Sequence, residues 1–168
     1  MSTRPILSSA HLASENGTSL SEFEFALTIA NNAFSRWMLH CAKAGGASDM
    51  APLDVLIVHH INHRERAKTL SEICFMLNME DTHTVNYSLK KLLKKGLIEG
   101  EKKGKEVRYK TSREGRKFCV NYRKIREDCL VESLQNLSLS PEELASFAGK
   151  MRSLAGLYDQ ASREVASL

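Results

Sequence analysis

Apolar residues recur at intervals of three and four through most of this chain, the spacing that gathers them on one face of a helix. Phe23, Leu27, Ala30, Phe34, Trp37, Met38 and Cys41 form the first such run, which Ser21-Glu22-Phe23-Glu24 opens as a capping box and Ala44-Gly45-Gly46 ends. Phe25 and Ile29 make its apolar face wider than one small core requires, so the helix is expected to bury part of itself against a second subunit. Pro52 suits the first turn of a second helix carrying Leu53, Val55, Leu56 and Val58 to about Asn62. Thr69-Leu70-Ser71-Glu72 is another capping box; it predicts a short helix with Leu70, Ile73 and Leu77 inward, followed by a turn at Asn78-Met79-Glu80.

Asp81 then starts a third pattern, as an N-cap whose carboxylate can accept from the free amides of the next turn. Val85, Leu89, Leu92 and Leu93 make the inner stripe, while His83, Asn86, Tyr87, Lys90 and Lys94 collect on the opposite face, with no carboxylate among them. Lys94-Lys95-Gly96 is the cation-rich end and C′ glycine of a helix stop. Beyond it the pattern changes to period two. Leu97-Ile98-Glu99, the turn Lys102-Lys103-Gly104-Lys105 and the alternating Val107-Arg108-Tyr109-Lys110-Thr111 predict a short hairpin with a basic tip. Thr111-Ser112-Arg113-Glu114 caps a further helix bearing Phe118, Tyr122, Ile125, Cys129, Leu134 and Leu137. Ser140-Pro141-Glu142-Glu143 opens the last one, where Leu144, Phe147, Met151, Leu154, Tyr158, Ala161 and Val165 form a seam that asks for a partner helix. An intramolecular bundle is the alternative use of that seam.

Charge changes the picture through its distribution. The formal net charge is only +4, but residues 81–117 carry 12 Lys and Arg against 5 Asp and Glu, while the segments on either side are slightly acidic. A cationic patch confined to one helix and its hairpin is the electrostatic footprint of a polyanionic partner. Cys41, Cys74, Cys119 and Cys129 have no metal-finger or redox spacing; Cys41 and Cys74 lie among apolar neighbours and are expected in the core rather than as oxidant sensors. His59 and His63, with His60 or His40 near, stand at a spacing that can ligate zinc, but no carboxylate or thiolate sits at ligand spacing beside them, so they are expected as surface or capping histidines and no metal or other cofactor is expected. The chain shows no phosphate loop, dinucleotide fingerprint, metalloprotease motif or nucleophile elbow, which argues against an enzyme. It shows no signal peptide and no apolar run long enough to span a membrane, so a cytoplasmic protein is expected.

The stretch Leu77-Asn78-Met79-Glu80-Asp81-Thr82-His83-Thr84-Val85-Asn86, the joint Leu92-Leu93-Lys94-Lys95-Gly96-Leu97-Ile98 and the segment Thr111-Ser112-Arg113-Glu114-Gly115-Arg116 together resemble the winged helix-turn-helix core of MarR-type bacterial transcription regulators, from about Pro52 to Phe118. The run His59-His60-Ile61-Asn62-His63 and the residues from Glu80 to Tyr87 also resemble an alphaproteobacterial branch of that family. Two departures stand out. The wing lacks the Asp-Arg pair that often braces it in the family, and Tyr87 stands where many members have arginine.

The resemblance implies a mainly α fold with a small β-wing and long N- and C-terminal dimerisation helices: a flexible segment 1–18, a helical dimerisation region 19–48 with 112–168, and a winged helix-turn-helix region 49–111. It implies a homodimer that regulates transcription by binding a pseudo-palindromic double-stranded DNA operator, its recognition helices in major grooves about one DNA turn apart. The residues expected on DNA are Thr82, His83, Thr84, Asn86, Tyr87, Lys90 and Lys94 of the helix and Lys102, Lys103, Lys105 and Arg108 of the wing. Asn86 is suited to adenine and Lys90 to guanine or phosphate. Phe34, Trp37, Met38 and Cys41 are candidates to line a pocket for a small aromatic effector, with ordinary core packing as the competing role. A winged helix used to bind another protein, or a redox- or metal-responsive regulator, are the alternative functions.

Overall fold

The computed structural model describes residues 17–134 and 139–168. The first helix, α1, spans Thr18–Ala44, and Gly45 and Gly46 end it; Gly46 takes φ 99°, a conformation in which a Cβ would be strained. Then come α2 (Pro52–Asn62), a short turn His63–Glu65, β1 (Lys68–Thr69), α3 (Leu70–Met76), α4 (Thr82–Lys94), β2 (Ile98–Lys103), β3 (Glu106–Thr111) and α5 (Arg113–Arg126). A π-helical turn over Glu127–Val131 leads into the short α6 (Glu132–Leu134), and α7 occupies Pro141–Val165. The chain divides into two compact units between Ile125 and Arg126.

In the first unit α2 is the central element. Its Val55, Ile57, Val58 and Ile61 are fully buried, because apolar neighbours cover it on nearly every side: Cys41 and Ala42 of α1, Ile73 of α3, Val85, Leu89 and Leu92 of α4, and Phe118 and Tyr122 of α5. Each such side chain contributes about 1.5–3 kcal/mol by leaving water. Antiparallel β2 and β3 pair from Ile98 with Thr111 out to Lys103 with Glu106, closed by a loop in which Gly104 has φ 65°. Two-residue β1 adds to the other edge of β3, with Lys68 opposite Tyr109, giving the order β1-β3-β2. Lys68 is almost completely buried. Its ammonium donates to the carbonyls of Ile61 (3.1 Å), His63 (2.8 Å) and Arg66 (3.3 Å), and so satisfies acceptors that the end of α2 and the turn after it leave open.

The expected caps hold at three helices. Thr69 Oγ1 accepts from Glu72 N while Glu72 accepts in return from Thr69 N at 2.8 Å; Ser140 and Glu143 do the same for α7; Asp81 caps α4. Four expectations need correcting. Ser21 does not open α1, because regular helix already begins at Thr18 and the Ser21 amide bonds to Gly17 O at 3.0 Å, which leaves Ser21 buried inside the first turns. Leu93 is 38% exposed rather than part of the inner stripe; Ser88, three residues from Val85 and four from Leu92, takes the buried position. The run after Thr111 does not stay α-helical. A π turn over Glu127–Val131 interrupts it, with more residues per turn, and Cys129 within that turn is exposed. His59 is not a surface histidine; its ring packs against Tyr122 (4.4 Å between centroids) and Phe118 (5.7 Å). The expectation for Leu137, and that of a flexible 1–18 segment over residues 1–16, fall outside the described residues.

Candidate nucleic-acid interface

The interface begins with one carboxylate. Asp81 Oδ1 accepts from the amides of His83 (2.8 Å) and Thr84 (3.3 Å), and Asp81 Oδ2 accepts from the Thr84 hydroxyl. That hydroxyl first, and the two amides after it, hold the Asp81 carboxyl below its ordinary range. The cap therefore fixes where α4 starts and also engages the Thr84 hydroxyl proton, leaving that oxygen as an acceptor.

From there α4 presents Thr82, His83, Tyr87, Lys90 and Lys94 to solvent, with Tyr87 72% exposed. Asn86 is only half-exposed and lies on the flank of this face. At the wing, Lys102, Lys103 and Lys105 are exposed around the Gly104 turn. Arg108 differs: it is half-buried on β3, opposite both Glu101 of β2 and Thr69 of β1. Its charge adds to the effects that keep the Glu72 carboxyl low, of which the bond to the Thr69 amide is the largest and the pairing with Arg66 at 2.7 Å the next.

Several cations of this segment have structural partners. Lys91 Nζ donates to Asp54 Oδ2 at 2.7 Å, and the same oxygen accepts from Ala51 N at 2.7 Å. Lys95 Nζ donates to Ser48 O at 2.8 Å, Lys110 pairs with Glu99 at 3.4 Å and Arg116 donates to Thr111 O at 2.8 Å. Asp54 is the residue that the sequence pattern alone did not single out. A lone acid inside the apolar run Leu53 to Val58 is the sign that could have found it, since a buried carboxylate needs a partner.

The four effector candidates have different surroundings. Met38 and Cys41 are core residues, with Cys41 Sγ 3.6 Å from Tyr122 O; Trp37 is half-buried, edge-on to Tyr122 at 5.7 Å; Phe34 is 51% exposed. A cavity of about 330 Å³ opens elsewhere, between the end of α2 and α3, with His60, His63, Arg64, Arg66, Phe75 and Met76 in its wall. Among the described residues no group of three or more His, Cys, Asp or Glu side chains is placed to hold a metal ion, and no helix is long and apolar enough to cross a membrane. Cys41, Cys74 and Cys119 are buried, and burial raises the thiol pKa of Cys74 and lifts that of Cys119 to about 11.

Known proteins share this arrangement. Residues 50–115 match the family model of a winged helix DNA-binding domain. No curated protein matches the chain in sequence. Solved structures match over most of it. A MarR family regulator from Neisseria meningitidis superposes with a TM-score of 0.67 at 14% identity, over 87% of this chain and 97% of that one. A mutant MarR from E. coli, complexed with operator DNA, gives 0.65 at 14% identity over 84% and 99%. FabT from Streptococcus pneumoniae, in complex with DNA, gives 0.58 at 21% identity over 82% and 95%. Residues 50–115 thus match the model of a winged helix DNA-binding domain, in a chain that has the fold of the MarR regulators.

Proposed function

We propose that this chain is a MarR-type transcription regulator that binds an operator in double-stranded DNA as a homodimer in the cytoplasm. The observation that carries the reading is the outer face of α4: a capped helix within a winged helix domain, exposing Thr82, His83, Tyr87, Lys90 and Lys94 and no acid. In this reading α4 enters the major groove with Asn86 toward base edges and Lys90 on a phosphate, and Lys102, Lys103 and Lys105 of the wing, with Arg108 behind them, hold flanking phosphates.

Dimerisation is supported by apolar surface that single-chain packing leaves open. Among the described residues α7 has no buried side chain, and Phe147 (61%) and Leu157 (61%) are as open to solvent as many charged residues. Ile29 (53%) and Phe34 (51%) of α1 are similar. An effector site at Phe34, Trp37, Met38 and Cys41 is the finer part of the proposal; there a small aromatic molecule would lower operator affinity by binding the two half-site spacings unequally. Trp37, the single tryptophan, would report its entry.

The test is salt dependence. Binding to a labelled duplex, followed by fluorescence anisotropy, is expected to weaken with salt at a log–log slope of about −7 if a dimer neutralises about 8 phosphates. Lys103→Ala, at the wing tip, should weaken operator and random duplex alike and make the slope shallower by about 2 per dimer. A flat plot for the unaltered protein would reject nucleic-acid binding by this surface.

A further inference from the structure

Two pairs of lysines stand on and just after the last two turns of α4, and the structure gives them different surroundings. Lys90 and Lys94 are exposed, and no hydrogen bond or ion pair is seen for either among the described residues. Lys91 and Lys95, also one helical turn apart, are both tied to the start of α2 and the segment before it: Lys91 to Asp54 at 2.7 Å and Lys95 to the carbonyl of Ser48 at 2.8 Å.

We infer that Asp54 and Lys91, supported by Lys95 and Ser48, form a clamp that sets the orientation of the recognition helix and so determines how well the protein tells its operator from other DNA. The inference rests on the DNA-binding reading above.

Three features carry it. Asp54 is 1% exposed, so its carboxylate is held by Lys91 and by the Ala51 amide, and water takes little part. An ion pair whose carboxylate is buried, with its lysine 29% exposed, adds little net stability over apolar residues of the same size, since desolvation of the acid offsets the attraction; what it does impose is geometry, because the buried carboxylate needs its partner in place. The clamp also acts on the right body. Lys91 lies between Lys90, expected on the DNA, and Leu92, fully buried under α2, so turning α4 enough to move Lys90 along a groove would lengthen the Lys91–Asp54 contact. Since Ala51 and Ser48 belong to the connection leaving α1, the clamp further ties the recognition helix to that connection. Base recognition depends on placement to within a fraction of an ångström, whereas attraction to phosphates does not.

Lys91 and Lys90 are therefore expected to behave oppositely, although adjacent and equally charged. The full chain would first select a duplex from a random-sequence pool, and its affinity for that duplex would be compared with that for a scrambled duplex of the same composition. The double variant Asp54→Asn with Lys91→Met leaves no buried unpaired charge and keeps an acceptor for the Ala51 amide. It should bind the scrambled duplex within about twofold of the unaltered protein and with the same salt slope, yet bind the selected duplex at least about tenfold more weakly. Lys91→Arg, which preserves the pair, should retain discrimination within about threefold. Lys90→Met should weaken both duplexes and make the slope shallower by about 0.9 for each phosphate no longer neutralised. Unchanged discrimination in the double variant would overturn the clamp while leaving the DNA-binding reading intact, and a shallower slope there would make Lys91 a phosphate ligand instead. An unaltered protein that selects no sequence would overturn the functional reading and the clamp with it.

Discussion

Asn86 and Lys90 stand one helical turn apart on α4, yet they offer DNA different chemistry. The amide of Asn86 both donates and accepts, and so can match the two groups an adenine edge presents; the ammonium of Lys90 is a point charge. Asn86→Ala is accordingly expected to cost about 1–3 kcal/mol on the selected operator and to relax base preference at one position per half-site, with little change on random duplex. Competition binding against single-base operator variants measures both; an equal loss on random DNA would mean that α4 does not sit in the groove. At this scale the sequence marked the exposed residues of α4 well, because there charge and helical phase agree on the outward side. It did not mark the half-burial of Asn86 and Arg108, which depends on neighbouring elements. Nor did it mark His59, whose ring Phe118 and Tyr122 cover and whose Nε2 is buried with no partner among the described residues. Burial, with a smaller contribution from Arg123, lowers its pKa from 6.5 to about 4. The unfolded chain then binds more protons than the folded one between those values, so stability is full above about pH 6.5 and falls toward pH 4, at most by about 1.4 kcal/mol per unit. Urea titrations across that range should show the dependence in the unaltered protein and a flatter one in His59→Phe.

The start of α5 shows what an element owes to its neighbours. Ser112 Oγ accepts from the Gly115 amide at 2.9 Å and donates to Gly96 O at 2.6 Å, so one hydroxyl caps α5 and fastens it to the turn that ends α4. This brings Gly115 so close to the residue before β2 that a Cβ there would lie 1.9 Å from Leu97 O. Gly115→Ala should therefore destabilise the protein by about 3 kcal/mol, read as a lowered urea midpoint at an unchanged slope. The capping signals at Thr69, Asp81 and Ser140 were legible because each rests on residues within one turn of each other. Strand β1 was not, since two residues carry no period and Lys68–Thr69 becomes a strand only by pairing with β3. The π turn after Arg126 was hidden for a related reason: Ile125, Cys129 and Leu134 keep an apolar rhythm that one widened turn puts out of register.

Over the whole chain, the winged helix was readable because its parts follow one another within residues 50–115, while the tie between Lys91 and Asp54 spans 37 positions and leaves no local trace. The terminal helices are where a single chain explains least. Deleting residues 140–168 removes α7 with its open apolar seam and should yield monomers or insoluble protein; sedimentation that finds a soluble, intact dimer would refute dimerisation through this helix. Within the first unit, the carbonyls of Ile61, His63 and Arg66, at the end of α2 and the turn after it, enclose the amine of Lys68, and burial lowers its pKa. An acylating reagent that modifies the wing lysines at once can reach this nitrogen only when the junction of α2 with β1 opens. Lys68 thus serves as an internal clock, whose rate of modification counts openings that leave the rest of the surface unchanged.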